Sequence, residues 1–217
     1  MNEKLYIVCG HGDGDSGACG NGYTESERVR TLAKRIKQFG GANVVICSPD
    51  RNWYRDNLFS TNEIIPKGGR VLELHLDSST SKSARGGHVI IKAGLKADKY
   101  DKALAKFISG MFAGRSVTIS ERSDLANPKR AHARGYNYRL MECCFISNKE
   151  NLSKFNRELD TIAKGILKCF DVPIVSEPSE KVTNKVYRVQ VGAFTKKENA
   201  ETMLRKLEKA GFDGRIV

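Results

Sequence analysis

No stretch of this 217-residue chain approaches the ~20 consecutive apolar residues of a membrane-spanning helix, which argues against stable membrane insertion. The segment Met1–Cys9 is too short and too soon structured for a signal peptide, so synthesis in the cytoplasm and exit by another route are expected. The six cysteines form no Cys-x-x-Cys pair, which leaves them as free thiols, several of them core residues. No nucleic-acid motif stands out, and Lys and Arg are scattered rather than clustered, so nucleic acid is not an expected partner. There is also no His-Glu-x-x-His helix to announce a metal site locally.

What the chain does have is positive charge. Its 37 Lys and Arg against 25 Asp and Glu give a net charge of +12, which suits a polyanionic partner such as an anionic cell wall. Hydrophobic residues make up 40% and charged residues 29%, an ordinary balance for a globular protein long enough to bury a core.

Strand and helix signals alternate over residues 4–170. The apolar run 4–9 ends at Gly10-His11-Gly12 and enters a Gly-rich loop, 10–23. Thr24-Glu25-Ser26-Glu27 reads as a capping box, followed by a stripe of Val29, Leu32, Ala33, Ile36 and Phe39 that Gly40-Gly41 ends. Strands are expected at 44–47, 71–76, 88–91, 116–120 and 138–144, and helices at 54–65 and 98–112. Residues 121–135 read as a basic loop. A second capping box at Ser147-Asn148-Lys149-Glu150 opens one amphipathic helix carrying Leu152, Phe155, Leu159, Ile162, Ile166 and Cys169. The pattern indicates an α/β fold with a mixed, mostly parallel sheet and helices on both faces.

Residues 172–185 form a Pro-containing linker without apolar period. The tail 186–217 reads as a small βαβ unit: Tyr187, Val189 and Val191 alternate with polar residues, and Thr195-Lys196-Lys197-Glu198 caps a helix with Ala200, Met203, Leu204 and Leu207 on one face. A last strand is expected near 214–217. A unit of this size is too small to fold stably alone, which suggests docking or pairing of two chains.

The chemistry centres on Glu142, one carboxylate in the run Leu140-Met141-Glu142-Cys143-Cys144-Phe145-Ile146. Burying an ionised carboxylate costs several kcal/mol or more, so such a group has an Arg partner, a metal site or a proton to handle. His11 follows a strand in a Gly-rich turn, Glu25 falls at a helix start, and His75 lies on a strand whose Glu73, His75 and Asp77 share one face. These are the ligand types of a catalytic zinc with one open position, although unrelated surface or core histidines would leave the same spacing. Cys9 and Cys19 flank His11 as rival ligands. Arg122, Lys129, Arg130 and Arg134 are candidates for holding substrate carboxylates, or they are a solvated basic face. His132 reads as a surface residue, and His88, after Gly86-Gly87 at a strand start, reads as structural.

Gly10-His11-Gly12, Asp15-x-Gly17-Ala18, Gly20-x-Gly22 and Glu25 resemble the opening of the zinc-dependent N-acetylmuramoyl-L-alanine amidases of the amidase-3 family. Leu74-His75-Leu76-Asp77 resembles that family's second histidine block, and Leu140-x-Glu142-x-x-Phe145-Ile146-Ser147-Asn148 its final block. The resemblance implies one Zn²⁺ per chain held by His11, Glu25 and His75, with Glu142 acting on the water, in a catalytic domain over 1–171. Asp77 departs from the family's usual Asn and, with Arg130 and Arg134, is a candidate substrate contact. Residues 186–194, Val-Tyr-Arg-Val-Gln-Val-Gly-Ala-Phe, resemble the start of a SPOR peptidoglycan-binding domain. The implied activity is hydrolysis of the bond between N-acetylmuramic acid and L-alanine in peptidoglycan.

Together with the missing signal peptide, this suggests a phage endolysin made in the host cytoplasm and acting on the wall after release. A possible homodimer through the tail accompanies that expectation. The alternatives are a bacterial autolysin or spore-lysis amidase, a non-catalytic wall-binding protein on the same scaffold, and a zinc peptidase cutting within the stem peptide.

Overall fold

Leu5–Cys9 (β1) is apolar at every position and buried at every position, as a strand covered on both faces must be. The structure, a computed structural model, describes residues 4–175, 190–212 and 214–216. The chain divides into two compact units, Met1–Glu177 and Pro178–Val217.

In the first unit β1 is followed by a two-strand ribbon absent from the sequence expectation, Cys19–Gly20 (β2) with Tyr23–Thr24 (β3). Then come helix Glu25–Gly40 (α1), strand Val44–Cys47 (β4), one helical turn Leu58–Thr61 (α2), and strands Arg70–Asp77 (β5) and His88–Lys92 (β6). Helix Lys99–Met111 (α3), strand Ile119–Arg122 (β7), helix Ala126–Ala133 (α4) and strand Asn137–Phe145 (β8) follow, and helices Lys149–Arg157 (α5) and Leu159–Cys169 (α6) complete the unit.

Six strands form one sheet in the order β4-β1-β5-β8-β6-β7. β4, β1, β5 and β8 run parallel, β6 runs against β8, and β7 runs parallel to β6. This is the expected mixed, mostly parallel α/β sheet. One face packs on α1, α3 and α6 through Leu32, Ile36, Leu104, Ile108, Ile162 and Ile166. The other carries Tyr6, Val8, Val71 and Leu140 beneath Trp53, Phe59 and Ala131. Each fully buried Leu or Ile contributes about 1.5–3 kcal/mol of transfer free energy.

Several local expectations need correction. The 54–65 helix shrinks to α2, and residues 126–133 of the expected basic loop are helix α4. The long C-terminal helix is broken at Glu158 (φ −103°, ψ 19°), although its apolar stripe continues across the break. Thr24 Oγ1 accepts from the Glu27 backbone N–H, while the Glu27 carboxylate accepts from Arg28. Asn148, not Ser147, caps α5. Ser147 Oγ instead accepts from the Ser79 backbone.

Arg139, 1% exposed, pairs with Asp101 at 2.8 Å and Asp98 at 3.0 Å, joining the start of β8 to the N-terminus of α3. All six cysteines are free thiols; Cys9, Cys47, Cys143 and Cys144 are buried. No helix among the described residues is long and apolar enough to cross a membrane.

In the second unit, helix Lys197–Lys209 (α7) has Lys196 at its N-cap with no side-chain cap, so the expected Thr195 capping box is not made. No residue of α7 is buried, and Ala200, Met203, Leu204 and Leu207 are half-exposed. Residues 190–194 and 214–216 are not in strands. Positions 187–189, 217 and most of the expected linker lie outside the described residues.

Candidate metal centre

The parallel strands β1, β5 and β8 end at the same sheet edge, and the chain places one functional segment at each end. His11 lies just past β1, His75 near the end of β5, and Glu142 near the end of β8. Glu25 begins α1 and is 4% exposed. Its two carboxylate oxygens divide between the histidines: Oε1 lies 2.8 Å from His75 Nδ1, and Oε2 lies 3.1 Å from His11 Nε2. The same oxygens accept the backbone N–H groups of Leu76 and Ala18. Donor atoms of His11, Glu25 and His75 all fall within 4.8 Å of one another, and no other such cluster occurs among the described residues. The rival thiols of Cys9 and Cys19 are not part of it.

The approach depends on missing side chains. A Cβ on Gly10 would lie 2.4 Å from the His75 ring, and one on Gly17 2.6 Å from the His11 ring. Gly17 also has φ +64°, a conformation other residues rarely adopt. His11 itself stands at φ 59°, in the left-handed region, at the turn that aims its ring inward. Arg30 secures this turn through the carbonyls of Gly10 and His11 at 3.0 and 2.9 Å.

Each histidine has a second carboxylate behind it. His11 Nδ1 faces Asp15 at 2.9 Å, and Asp15 is in turn held by Asn52 and the Gly17 N–H. His75 Nε2 faces Glu73 at 3.1 Å. Glu73 is 2% exposed and accepts from Tyr138 at 2.5 Å and Asn127 at 2.9 Å. Such partners fix ring orientation and tautomer, as around metal-bound histidines. The period-two face of β5 showed Glu73 beside His75; Tyr138 and Asn127 carried no sequence signal pointing here.

The electrostatics follow. Burial works against protonation of His75, but Glu25, Glu73 and Glu142 raise its pKa well above the ordinary value. His11 is raised for the same reason, by Glu25 and Asp15 against burial. Burial would raise the Glu25 carboxyl, yet hydrogen bonds from both histidines hold it below the usual range.

Glu142 behaves oppositely. Burial pushes its carboxyl up to about 7, with Glu25 adding to the rise against His75, Arg115 and His11. Its Oε2 is buried and has no hydrogen-bond partner among the described residues. Glu142 has no ion pair among the described residues, whereas Arg139 three positions earlier has two carboxylates.

The three candidate substrate contacts are placed differently. Asp77 pairs with Arg115, whose guanidinium lies 4.8 Å from the Phe145 ring centroid, and an extra β8 residue shifts the β5–β8 register between His75 and Asp77. Arg130 donates to the Tyr54 carbonyl at 2.8 Å and lies over the Tyr54 ring. Arg134 is occupied by the carbonyls of Ser60 and Asn62. His132 is exposed. A cavity of about 290 Å³ opens beside the cluster, lined by His11, His75, Trp53, Tyr54, Leu125 and Asn127 among others.

An α/β sheet with a His-Glu-His cluster at its parallel strand ends presents a donor set that could hold a metal ion. The family profile described as N-acetylmuramoyl-L-alanine amidase matches residues 5–170, and the chain belongs to this family. A SPOR domain profile matches residues 183–217.

The chain is 31% identical over 180 residues to the "Probable autolysin PH" of Staphylococcus aureus (strain NCTC 8325 / PS 47), covering 75% of this chain and 37% of that protein. It is 27% identical over 165 residues to the N-acetylmuramoyl-L-alanine amidase LytC of Bacillus subtilis (strain 168), covering 72% of this chain and 32% of that protein. It thus spans about a third of the length of these curated relatives.

Among solved structures, the catalytic domain of the CD27L endolysin targeting Clostridia Difficile superposes with a TM-score of 0.63 at 20% identity, over 80% of this chain and 99% of that one. An N-acetylmuramoyl-L-alanine amidase from Clostridium difficile 630 gives 0.62 at 17%, over 78% and 95%. At these identities the likeness bears on the fold, which it shares.

Proposed function

We propose that this chain hydrolyses the amide bond between N-acetylmuramic acid and L-alanine in peptidoglycan, with Zn²⁺ held by His11, Glu25 and His75 and Glu142 as the general base. Family membership supports the bond that is cut. The observation that carries the mechanism is the pairing of a three-donor cluster with an unpartnered carboxylate beside it. Two neutral imidazoles and one carboxylate suit zinc, and each imidazole has a carboxylate to orient it.

When bound, the metal supplies Lewis acidity toward the amide carbonyl and acidifies water. Glu142 receives the proton of the attacking water, since a carboxylate raised to about 7 holds a proton at neutral pH yet can release it. Glu73 and Asp15 keep the His75 and His11 rings in place. The cavity beside the cluster offers Tyr54 and Leu125 to the apolar parts of the substrate.

In this reading residues 1–171 are catalytic, 172–185 link, and 186–217 bind the wall or pair two chains. Asp77 acts through Arg115, and Arg130 borders the substrate through Tyr54. The setting is either lysis by an endolysin or wall turnover by a bacterial autolysin; the 31% identity to an autolysin favours the second.

Mass spectrometry of purified peptidoglycan digested with and without chelator tests the activity. A free L-Ala amino terminus with intact N-acetylmuramic acid, lost on chelation, is expected. New reducing ends, or cuts within the stem peptide, would overturn it.

A further inference from the structure

Glu142 stands between two imidazoles. Its register partner is His75 of β5 on one side and His88 of β6 on the other. Residues directly opposed on neighbouring strands project to the same face, with Cβ atoms ~4.5–5.5 Å apart across an antiparallel pair. His75, Glu142 and His88 therefore form one row across three strands. His75 belongs to the metal-type cluster and His88 does not.

His88 is 5% exposed, and its Nδ1 is buried with no hydrogen-bond partner among the described residues. Glu142 Oε2 is in the same condition. A buried polar atom left without a partner costs the desolvation of that atom with nothing to offset it. Two such atoms on facing residues of adjacent strands point to a shared task rather than to two separate defects.

The position is also built. Gly87 enters β6 so close to β8 that a Cβ there would lie 2.4 Å from the Cys143 carbonyl oxygen. The Gly87 N–H is fixed on the Phe112 carbonyl at 2.9 Å. Burial, with the Arg122 charge, lowers the His88 pKa, which favours the neutral imidazole, a form with one ring nitrogen able to accept.

We propose that His88 carries the proton between Glu142 and the leaving nitrogen during amide hydrolysis. The inference rests on the amidase reading above. Water oxygen bonds to the amide carbon and gives one proton to Glu142. Glu142 passes that proton to His88, directly or through one water. His88 delivers it to the nitrogen as the C–N bond breaks. The amine departs, and Glu142 and His88 return to carboxylate and neutral imidazole.

The test is steady-state cleavage of a soluble muropeptide by His88→Ala, His88→Gln and Glu142→Gln, with zinc content and melting temperature measured on each. For both His88 variants kcat should fall by about tenfold or more, at the low end of or below what a general acid–base group contributes, with KM and zinc content unchanged. Added imidazole should restore His88→Ala several-fold relative to wild type at the same imidazole concentration, because it supplies the missing proton carrier.

Unchanged kcat in both variants overturns the inference, as does full rescue by Gln, which can hydrogen-bond but not carry a proton. Losses that follow zinc content or melting temperature assign His88 to structure instead and also overturn it. If His88→Ala does not fold, His88→Gln decides. If wild type frees no L-Ala amino terminus, the amidase reading fails and takes this inference with it. If wild type and Glu142→Gln behave as expected while the His88 variants stay active, only the proton-carrier role is lost.

Discussion

His75 and Glu142 are register partners on the two central, parallel strands, 67 positions apart in sequence and side by side toward the strands' C-terminal ends. Their environments set them apart. His75 has carboxylates on both ring nitrogens, whereas Glu142 Oε2 has no partner among the described residues. One side chain is held still, and the other is left with an open valence for hydrogen bonding.

Glu142→Gln should keep the fold and the metal yet lose hydrolysis by 10²–10⁴-fold, on the order of a general base's contribution. The amide matches the carboxylate in shape but cannot accept the water proton. A variant retaining more than about a tenth of wild-type kcat on a soluble muropeptide would move the role elsewhere. Glu27→Gln should be close to neutral, because the exposed Glu27 carboxylate meets its neighbour Arg28 at the protein surface.

Zinc should bind at about one per chain, and His75→Ala should lose metal and activity together. Glu73→Gln should weaken zinc binding by about 10–100-fold without removing a ligand, since it disturbs the carboxylate behind His75. Competition against a chromophoric chelator measures both. Full occupancy in His75→Ala would remove that residue from the ligand set.

Zinc affinity should rise with pH. Without metal, His11 and His75 have raised pKa values, so their ion pairs stabilise the fold below the ordinary histidine range and fade as pH climbs through the raised values. Metal binds neutral imidazole and must displace those protons. Calorimetric titration of zinc in buffers of different ionisation enthalpy should therefore show proton release, larger at pH 6 than at pH 8. Hydrolysis should fall on the acid side as Glu142 protonates. Its limb should lie below about 7 in the loaded protein, because a bound cation favours the carboxylate. No proton release at pH 6 would contradict the cluster as the zinc site.

Gly17→Ala should cost metal affinity more than global stability. The added methyl meets the His11 ring and forces an unfavourable φ at a loop, not in the core. Zinc titration alongside thermal melting separates the two effects. A variant with unchanged affinity would show that the loop has room to shift.

Deleting residues 176–217 should leave a folded, zinc-binding protein that cleaves soluble muropeptides but attaches less to intact walls. Light scattering on both forms tests pairing through the tail: equal, monomeric masses would sink the dimer, and unchanged wall pull-down would sink the binding role.

The sequence by itself determined the sheet and its covering, because strand and helix periodicities of 2 and 3.6 are local and strong in segments such as Leu5–Cys9 and Glu25–Gly40. It also singled out His11, Glu25, His75 and Glu142, through the chemical oddity of a carboxylate in an apolar strand and the recognisable blocks around the other three. It misplaced elements whose local signal was weak or contrary: α4 lies in a basic stretch, and the break at Glu158 interrupts an unbroken apolar stripe.

Only the tertiary structure decided which polar groups have partners. Arg115 pairs with Asp77, Tyr138 and Asn127 converge on Glu73, and the reversed strand β6 brings His88 opposite Glu142. Those contacts join residues tens of positions apart. Their energies depend on burial and strand order, which no local stretch of sequence encodes.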